Sequence, residues 1–381
     1  MSVEFIGSLF THDNSEIHPH RTPIVERDYL RRIARAHEDG GFDAALIGYG
    51  SERADGVVTA GHAAAQTDRL RFLVAYRPGF VAPTYAARTF ASFDLLTEGR
   101  LAVNVVSGGS EPEMNRDGDY TTKEERYART DEHLDIFRAI WSGQAPLSHQ
   151  GRFYRFDDLR AQVQPHQPGG IPIYFGGSSP AAIRVGAKHA DNFMLFGEPL
   201  AETAQRIAEI RAAATAAGRS TPPAISASFR PILGATEELA WERAHWVVDR
   251  INHSGFTKRN GDRRGGTLTV GGQRLVDAAA RGERHDRALF TATATAAGAF
   301  GNTTALVGTP ETVAAAILDY VDIGVTSFLI RGYEPLKDAI DYGRHLIPLV
   351  RSELAHRQRT GQSAANPPDA PLPVAAGALG R

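Results

Sequence analysis

The sequence predicts an α/β chain closed into a (β/α)8 barrel, and three observations carry that prediction. Eight apolar segments alternate with helical ones along nearly the whole chain. Most of the eight are continuous apolar runs, the pattern of strands buried on both faces of a parallel sheet. The length, 381 residues, exceeds the ~250 typical of one such barrel by enough to carry insertions. An open doubly wound sheet also alternates, but eight βα units in one chain favour closure.

The elements follow in order. VEFIGSL (3–9) reads as the first strand, followed by a polar loop, and YLRRIARAHEDGG (29–41) has helical spacing with a glycine stop. FDAALIG (42–48) is the second strand, DGVVTAGHAAAQT a helix and LRFLVAY (70–76) the third strand. The next helix, PTYAARTFASFDLLTEG, opens on Pro83, where a missing N–H costs nothing. LAVNVVSGG (101–109) is the fourth strand, and ERYARTDEHLDIFRAIW (125–141) a helix. A break at 142–170 suggests a β-excursion around GRFYRF. IPIYFGG and NFMLFGE (192–198) are strands five and six, separated by the helix AAIRVGAKHA. A long Ala-rich helix, ETAQRIAEIRAAATAAG, leads to strand seven, ISASFRPIL (225–233). The helix TVAAAILDYVDIG (312–324), strand eight TSFLIRG (326–332) and AIDYGRHLIPLVRSELAH close the repeat.

Two segments stand outside this rhythm. Residues 254–300, rich in glycine and charge, form an insertion between strands seven and eight, expected to be a mobile lid over the barrel mouth. The chain thus reads as one domain over 1–357, with a Pro/Ala/Gly-rich tail from 358 to 381 expected to be disordered.

Composition narrows the function classes. Hydrophobic residues make up 42% and charged residues 23%, and 42 basic against 44 acidic side chains leave a formal charge of −2. No net field draws the chain to nucleic acid or to an anionic membrane. Cysteine is absent, which removes disulfides, thiolate catalysis and cysteine metal sites. The start MSVEFIGSLF has no basic n-region, and no apolar run reaches the ~20 residues that span a bilayer, so a cytoplasmic location is expected.

In a barrel of this kind function gathers at the C-terminal ends of the strands. That rule selects Thr11, His12 and Asp13, then Tyr49 and Ser51, then Arg77. It continues through Ser107, Gly108 and Gly109, Gly176 to Ser179, Phe196 to Glu198, Arg230, Arg331 and Tyr333. The set is polar, glycine-rich and cationic, with no carboxylate pair and no nucleophile triad. Taken singly, each glycine turn is as well explained by chain reversal as by a ligand. HPH at 18–20 resembles a metal motif, but two loop histidines without a second cluster do not make one, so no metal is expected. His62 and His189 lie within helices and read as structural.

The turn FGGSSP has the strongest physical content. Glycine lets the N–H groups of Gly177 and Ser178 approach an anion, and Ser178 or Ser179 can cap the next helix, with Pro180 in its first turn. The positive end of that helix points at the same spot, which suits a phosphate.

Read in order, FLVAYRPGFVAPTYAARTFASFDLLTEGRLAVNVVSGG, ERYARTDEHLDIFRAIW, IPIYFGGSSPAA and TALVGTPETVAAAILDYVDIGVTSFLIRGY resemble the bacterial luciferase-like flavin monooxygenases. The resemblance spans residues 3–355 and is nearest to the alkanesulfonate monooxygenase group. It implies an insertion-bearing TIM barrel that uses O2 and reduced FMN, the latter supplied by a separate NAD(P)H-dependent flavin reductase, and a homodimer or homotetramer. Carried across, the flavin ring falls near Asn104, Ser107, Gly108 and Gly109, and its phosphate near Tyr127, Gly177, Ser178 and Ser179. Tyr333 matches a tyrosine at the substrate end, and His12 a histidine after strand one.

The sequence also departs from that group. Arg53 stands where the group has cysteine, Phe196 where it has tryptophan, and Ala299 where it has a loop arginine. Its strand-seven Arg-x-His pattern is Ser228-Phe229-Arg230 here. The resulting expectation is oxygenation of a small organic molecule, an alkanesulfonate cleaved to sulfite and aldehyde, with a non-sulfonate substrate as the alternative. Arg230 and Arg331 would hold the anion, Tyr49, Arg77 and Phe196 would line the site, and His12 or Tyr333 would handle protons. A deazaflavin-dependent dehydrogenase and a flavoprotein without catalysis are the competing classes.

Overall fold

The computed structural model describes residues 3–18, 23–108, 110–143, 145–265, 268–300 and 303–361. Gly109, Pro19 and His20 of the HPH motif, and residues 362–381 of the expected tail lie outside them.

The first half of the barrel runs β1 (Glu4–Leu9), α1 (Arg27–Asp39), β2 (Ala44–Ile47), α2 (Gly56–Ala64), β3 (Arg71–Tyr76), α3 (Pro83–Leu96) and β4 (Leu101–Val105). A short α4 (Glu111–Arg116) and the long α5 (Lys123–Trp141) follow, and then the excursion, an antiparallel pair β5 (Leu147–Gln150) and β6 (Arg155–Leu159). The second half continues with β7 (Ile173–Gly176), α6 (Pro180–His189), β8 (Asn192–Phe196), α7 (Leu200–Ala216) and β9 (Ala224–Leu233). Next come α8 (Glu237–Ser254), α9 (Phe256–Arg264), α10 (Val270–Arg281), β10 (Arg284–His285), β11 (Leu289–Phe290), α11 (Ala292–Ala296) and β12 (Ala305–Gly308). The chain returns to the barrel with α12 (Pro310–Asp322), β13 (Ser327–Ile330), α13 (Pro335–Asp341), a π-helical turn (Tyr342–Leu346) and α14 (Ile347–Thr360).

The parallel order β1-β2-β3-β4-β7-β8-β9-β13 closes on itself through the β13–β1 pairing, giving the eight-stranded barrel that the alternation predicts. Closure explains the apolar runs, because each strand must satisfy two faces. Ile6, Ala44, Leu73, Ala102, Tyr174 and Leu329 pack together in the lumen. Their chain neighbours Phe5, Ala45, Phe72, Val103, Phe175 and Phe328 pack under the helices. At the N-terminal end the lumen is polar: Glu4 accepts from the Tyr174 hydroxyl at 2.8 Å and pairs with Arg71.

Three differences from the sequence reading concern the region after β9. The helix α8 is present ahead of residue 254, capped by Thr236, whose side chain accepts from the Leu239 N–H. The insertion, left without elements in the sequence reading, holds α9, α10, α11 and the antiparallel pair β10–β11. Short-range packing organises it, since Leu275, Ala294 and Ala299 form a small buried cluster with Phe196 beneath them. Finally, TALVG forms β12, a strand outside the barrel count. The ten-residue β9 is longer than the barrel needs. Its lower half pairs with β8 and β13, and its upper half pairs with β12. The Arg230 N–H donates to the Thr304 carbonyl, on the edge that β8 occupies lower down, so β12 continues the β8 column above the mouth. At the other end of the chain, α14 runs to Thr360 and stops on left-handed Gly361, so 358–360 belong to the helix rather than to the tail.

Candidate functional site at the barrel mouth

The turn after β7 builds a cup. Gly177 has φ of 152°, and a Cβ there would stand 2.5 Å from the Ala182 Cβ and 3.6 Å from the Tyr127 hydroxyl, so only glycine leaves this space open. Ser179 is the N-cap of α6, its Oγ accepting from the Ala182 N–H at 3.3 Å, with Pro180 in the first turn. Tyr127 reaches the cup from α5, whose start is fixed by a Thr122/Glu125 capping box. Burial raises the pKa of this tyrosine, against a hydrogen bond with Ser179 that lowers it. Behind the cup, Arg206 of α7 donates to the Ser178 carbonyl at 3.2 Å. On its open side a Cβ on Gly271 of α10 would come within 3.1 Å of the Ser178 Oγ and 2.9 Å of the Phe196 ring. Freed N–H groups, a helix start and a hydroxyl match the donor set of a phosphate monoester.

Across the lumen, Asn104 is partly buried in β4, and Ser107 follows it. The Ser107 Oγ accepts from the Thr130 hydroxyl of α5 at 3.0 Å. Gly108 has φ of 95°, and a side chain there would collide with the Met114 sulfur, so the turn lies tight against α4.

Arg77 leaves β3 buried, 5% exposed. Its Nη2 meets Glu113 at 3.1 Å, and its guanidinium lies 4.5 Å from the centre of the Tyr49 ring. Tyr49 in turn stacks on Phe80, and its hydroxyl donates to Asp117 at 3.0 Å. The Nε and Nη1 of Arg77 have no protein partner among the described residues. Phe196 sits at the junction of mouth and insertion, in the cluster that also holds Ala299.

The opposite rim is dominated by an ion-pair triad that sequence reasoning did not anticipate. Glu16 is 3% exposed and bridges two arginines. Arg230 Nη1 donates to its Oε1 at 3.1 Å while Nη2 binds Oε2, and Arg331 Nη2 donates to Oε1 at 2.7 Å. Burial raises the Glu16 carboxyl, but the two guanidiniums outweigh it and hold its pKa at about 2. Arg230 is fully buried, with its guanidinium 4.2 Å from the centre of the Tyr333 ring. The Tyr333 hydroxyl lies beside the Thr293 side chain, which lowers its pKa, but burial outweighs this and pushes it up to about 12. The ring of His12 holds the Ile24 carbonyl at 2.8 Å through Nδ1, leaving Nε2 buried without a partner among the described residues.

The structure therefore brings Tyr127, Gly177, Ser178 and Ser179 into one cup, and Arg230, Arg331 and Tyr333 into one cluster on the rim. Arg77 and Tyr49 form a separate pair beside α4. Glu16 escaped the strand-end rule because it lies seven positions beyond β1. What returns it to the mouth is Ile17, which packs with Ile232, Val247 and Tyr333 in a separate core cluster. A glutamate followed by a buried isoleucine was the only local signal.

A grouping of possible metal donors, Asp131, Asp135 and His189, lies on α5 and α6, with the Lys188 ammonium 2.8 Å and 2.9 Å from its two carboxylates. No helix among the described residues is long and apolar enough to cross a membrane.

Residues 3–327 match the family described as luciferase-like monooxygenase. The chain belongs to that family. Among solved structures, a riboflavin lyase with modified FMN and riboflavin superposes with a TM-score of 0.76 at 22% identity, over 93% of this chain and 92% of that one. An EDTA monooxygenase from Chelativorans sp. BNC1 gives 0.75 at 19%, over 93% and 94%. An F420-dependent secondary alcohol dehydrogenase gives 0.65 at 17%, over 92% and 100%. At these identities the likeness is one of fold, and the family fixes the chain as a luciferase-like monooxygenase built on a (β/α)8 barrel.

Proposed function

We propose that the protein is a two-component monooxygenase that uses reduced FMN and O2 to oxygenate a small organic anion, with an alkanesulfonate as the substrate type. The observation that supports this reading most is the cup at Gly177–Ser179, which offers a phosphate monoester its donors and faces the same lumen as the arginine-lined rim. Reduced FMN would come from a separate NAD(P)H-dependent flavin reductase. When bound, it supplies the two electrons with which one oxygen atom enters the substrate and the other leaves as water.

Every other task falls to side chains. Ser178, Ser179, Tyr127 and the start of α6 hold the phosphate. Asn104, Ser107 and the Gly108 turn bound the ring, and Phe196 closes the site beneath the insertion. The insertion is tied down by Arg274 of α10, whose Nε lies 2.9 Å from each Glu198 carboxylate oxygen, and by Asp286, which accepts from the Leu200 N–H at 2.8 Å. These ties keep water from the reacting centre. Tyr333 stays protonated at neutral pH and can donate its O–H, whereas the free Nε2 of His12 can accept a proton when Nδ1 carries the hydrogen. For a sulfonate, oxygen transfer at the carbon bearing sulfur breaks the C–S bond and yields an aldehyde and sulfite.

One observation favours a non-sulfonate anion as a second reading. The position of the loop arginine in the alkanesulfonate group is occupied by Ala299, buried in the apolar cluster of the insertion. Turnover of a C2–C10 sulfonate panel with reduced FMN under air, read as sulfite release, tests the first reading; absence of sulfite at every length would move the assignment to the second. Turnover with reduced deazaflavin and no oxygen uptake would reject both.

A further inference from the structure

The cup after β7 has fewer donors than a helix start ordinarily offers. Pro180, at the first position of α6, has no N–H, and the Ala182 N–H is taken by the Ser179 Oγ at 3.3 Å. What remains for an anion is the N–H of Ala181 and those of the turn itself, Gly177, Ser178 and Ser179. None of these four has a backbone acceptor among the described residues. With so few donors, the direction in which each turn peptide faces decides how well the cup binds.

One of those peptides is held from behind. Arg206 of α7 donates from Nη2 to the Ser178 carbonyl at 3.2 Å. In a trans peptide the carbonyl and the following N–H point in opposite directions, and the only cis bond among the described residues is Ala145–Pro146. With the carbonyl turned toward α7, the Ser179 N–H points away from it. Arg206 is built to hold this arrangement. It is 6% exposed, its Nη1 pairs with Glu209 one turn further along α7, and its Nε is enclosed without a partner among the described residues. The helix that carries it is pinned where β8 ends, since the Thr203 and Tyr320 hydroxyls donate to the Glu198 carbonyl at 3.0 Å and 2.7 Å. A guanidinium on the carbonyl also polarises the amide and strengthens its N–H as a donor.

We propose that Arg206 is the positioning residue of the cup, fixing the Ser178–Ser179 peptide with its N–H toward the phosphate while making no contact with the phosphate itself. The assignment rests on the flavin reading for the identity of the ligand. It deepens that reading by naming a residue on a covering helix, where the strand-end rule does not look.

The test measures binding to the flavin-free full chain, with FMN and riboflavin titrated by quenching of flavin fluorescence and inorganic phosphate by calorimetry. The wild type should favour FMN over riboflavin at least tenfold. Arg206→Met should lose most of that preference through about a tenfold fall in FMN affinity, with riboflavin within about twofold of the wild type and phosphate affinity falling in step. Glu209 is partly exposed, so water can replace its lost partner and the fold is preserved. Arg206→Lys, which keeps a donor for the carbonyl and a cation for Glu209, should recover part of the loss. An unchanged ratio of FMN to riboflavin affinity in Arg206→Met would overturn the assignment, and so would equal losses for both flavins, the signature of a damaged fold. The phosphate arm separates the two readings. Phosphate binding that weakens in Arg206→Met, in a protein that takes neither flavin, would support Arg206 and sink the flavin reading. An FMN preference that survives Arg206→Met would sink Arg206 alone, and a wild type that binds neither phosphate nor FMN would sink both.

Discussion

Glu16 decides more at the mouth than any other single side chain. Two guanidiniums depend on it, one of them fully buried, and removing the partner of a buried charge leaves it uncompensated at a cost of about 3–5 kcal/mol. Glu16→Gln is therefore expected to lower the urea midpoint by that equivalent, with circular dichroism of the folded form unchanged. Because its pKa is depressed to about 2, the stabilisation is complete above the ordinary carboxyl value of 4.5 and is lost progressively as pH falls from there to about 2. Ser179 carries a second test. Ser179→Ala removes the α6 cap, worth about 0.5–2 kcal/mol, and one phosphate donor. FMN affinity should fall roughly tenfold, the 1.4 kcal/mol equivalent of one such contact, while riboflavin affinity stays put. Equal losses for both flavins would detach the cup from the phosphate. The cup was legible because glycine, serine and proline announce a turn and a helix start locally. The triad was not, because Glu16 meets Arg230 across 214 positions and only packing brings them together.

Among the elements, α1 and α5 each bury a histidine that must stay neutral. His37 packs over Gly7 of β1, receives the Ser8 N–H at 3.3 Å, and is pushed by burial down to about 4. His133 lies between the Tyr76 and Tyr154 hydroxyls, at 3.1 Å and 3.0 Å, and burial, aided by Arg129, takes it to about 3. In the unfolded chain both titrate near 6.5. Between that value and 4 the unfolded state holds the extra protons, so stability falls as pH drops through this window. Denaturant melts at pH 7, 6 and 5 should show this loss, and His37→Gln should flatten the slope by about one proton. The insertion offers a second element-level test. Arg274→Ala removes the bidentate tie to Glu198, and limited proteolysis should then cut within 256–296 faster while the barrel fragment persists. The strands were readable because closure buries both faces of each one. The helix α8 was harder to read: only Ala240, Ala244, Val247 and Ile251 are buried along its 18 residues, a narrow stripe among charges and exposed tryptophan. β12 was hidden for a different reason, since a four-residue strand outside the barrel has no place in an eightfold rhythm.

For the molecule as a whole, the formal charge of −2 is near zero, and the arginines named at the mouth are met by carboxylates. Long-range attraction of an anionic substrate is therefore weak, and the field acts only within the rim. Raising ionic strength from 0.01 to 0.15 M shortens screening from about 30 to about 8 Å, so the association rate of a sulfonate should change little while its dissociation rate rises; stopped-flow traces showing a steep fall in association would contradict this. The eightfold alternation foretold the architecture, because βα repetition and double burial are global constraints written into every segment. It was silent on how the insertion is rooted. β9 belongs to the barrel up to Phe229 and to the insertion's own sheet from Arg230 onward. In mechanical terms the cover is cantilevered from a load-bearing stave, with Arg230 at the fulcrum. Any swing has to begin beyond β12, and a swing that reached β12 itself would twist Arg230 against Glu16. The Arg230–Glu16 pair at the rim would thus register the position of the cover.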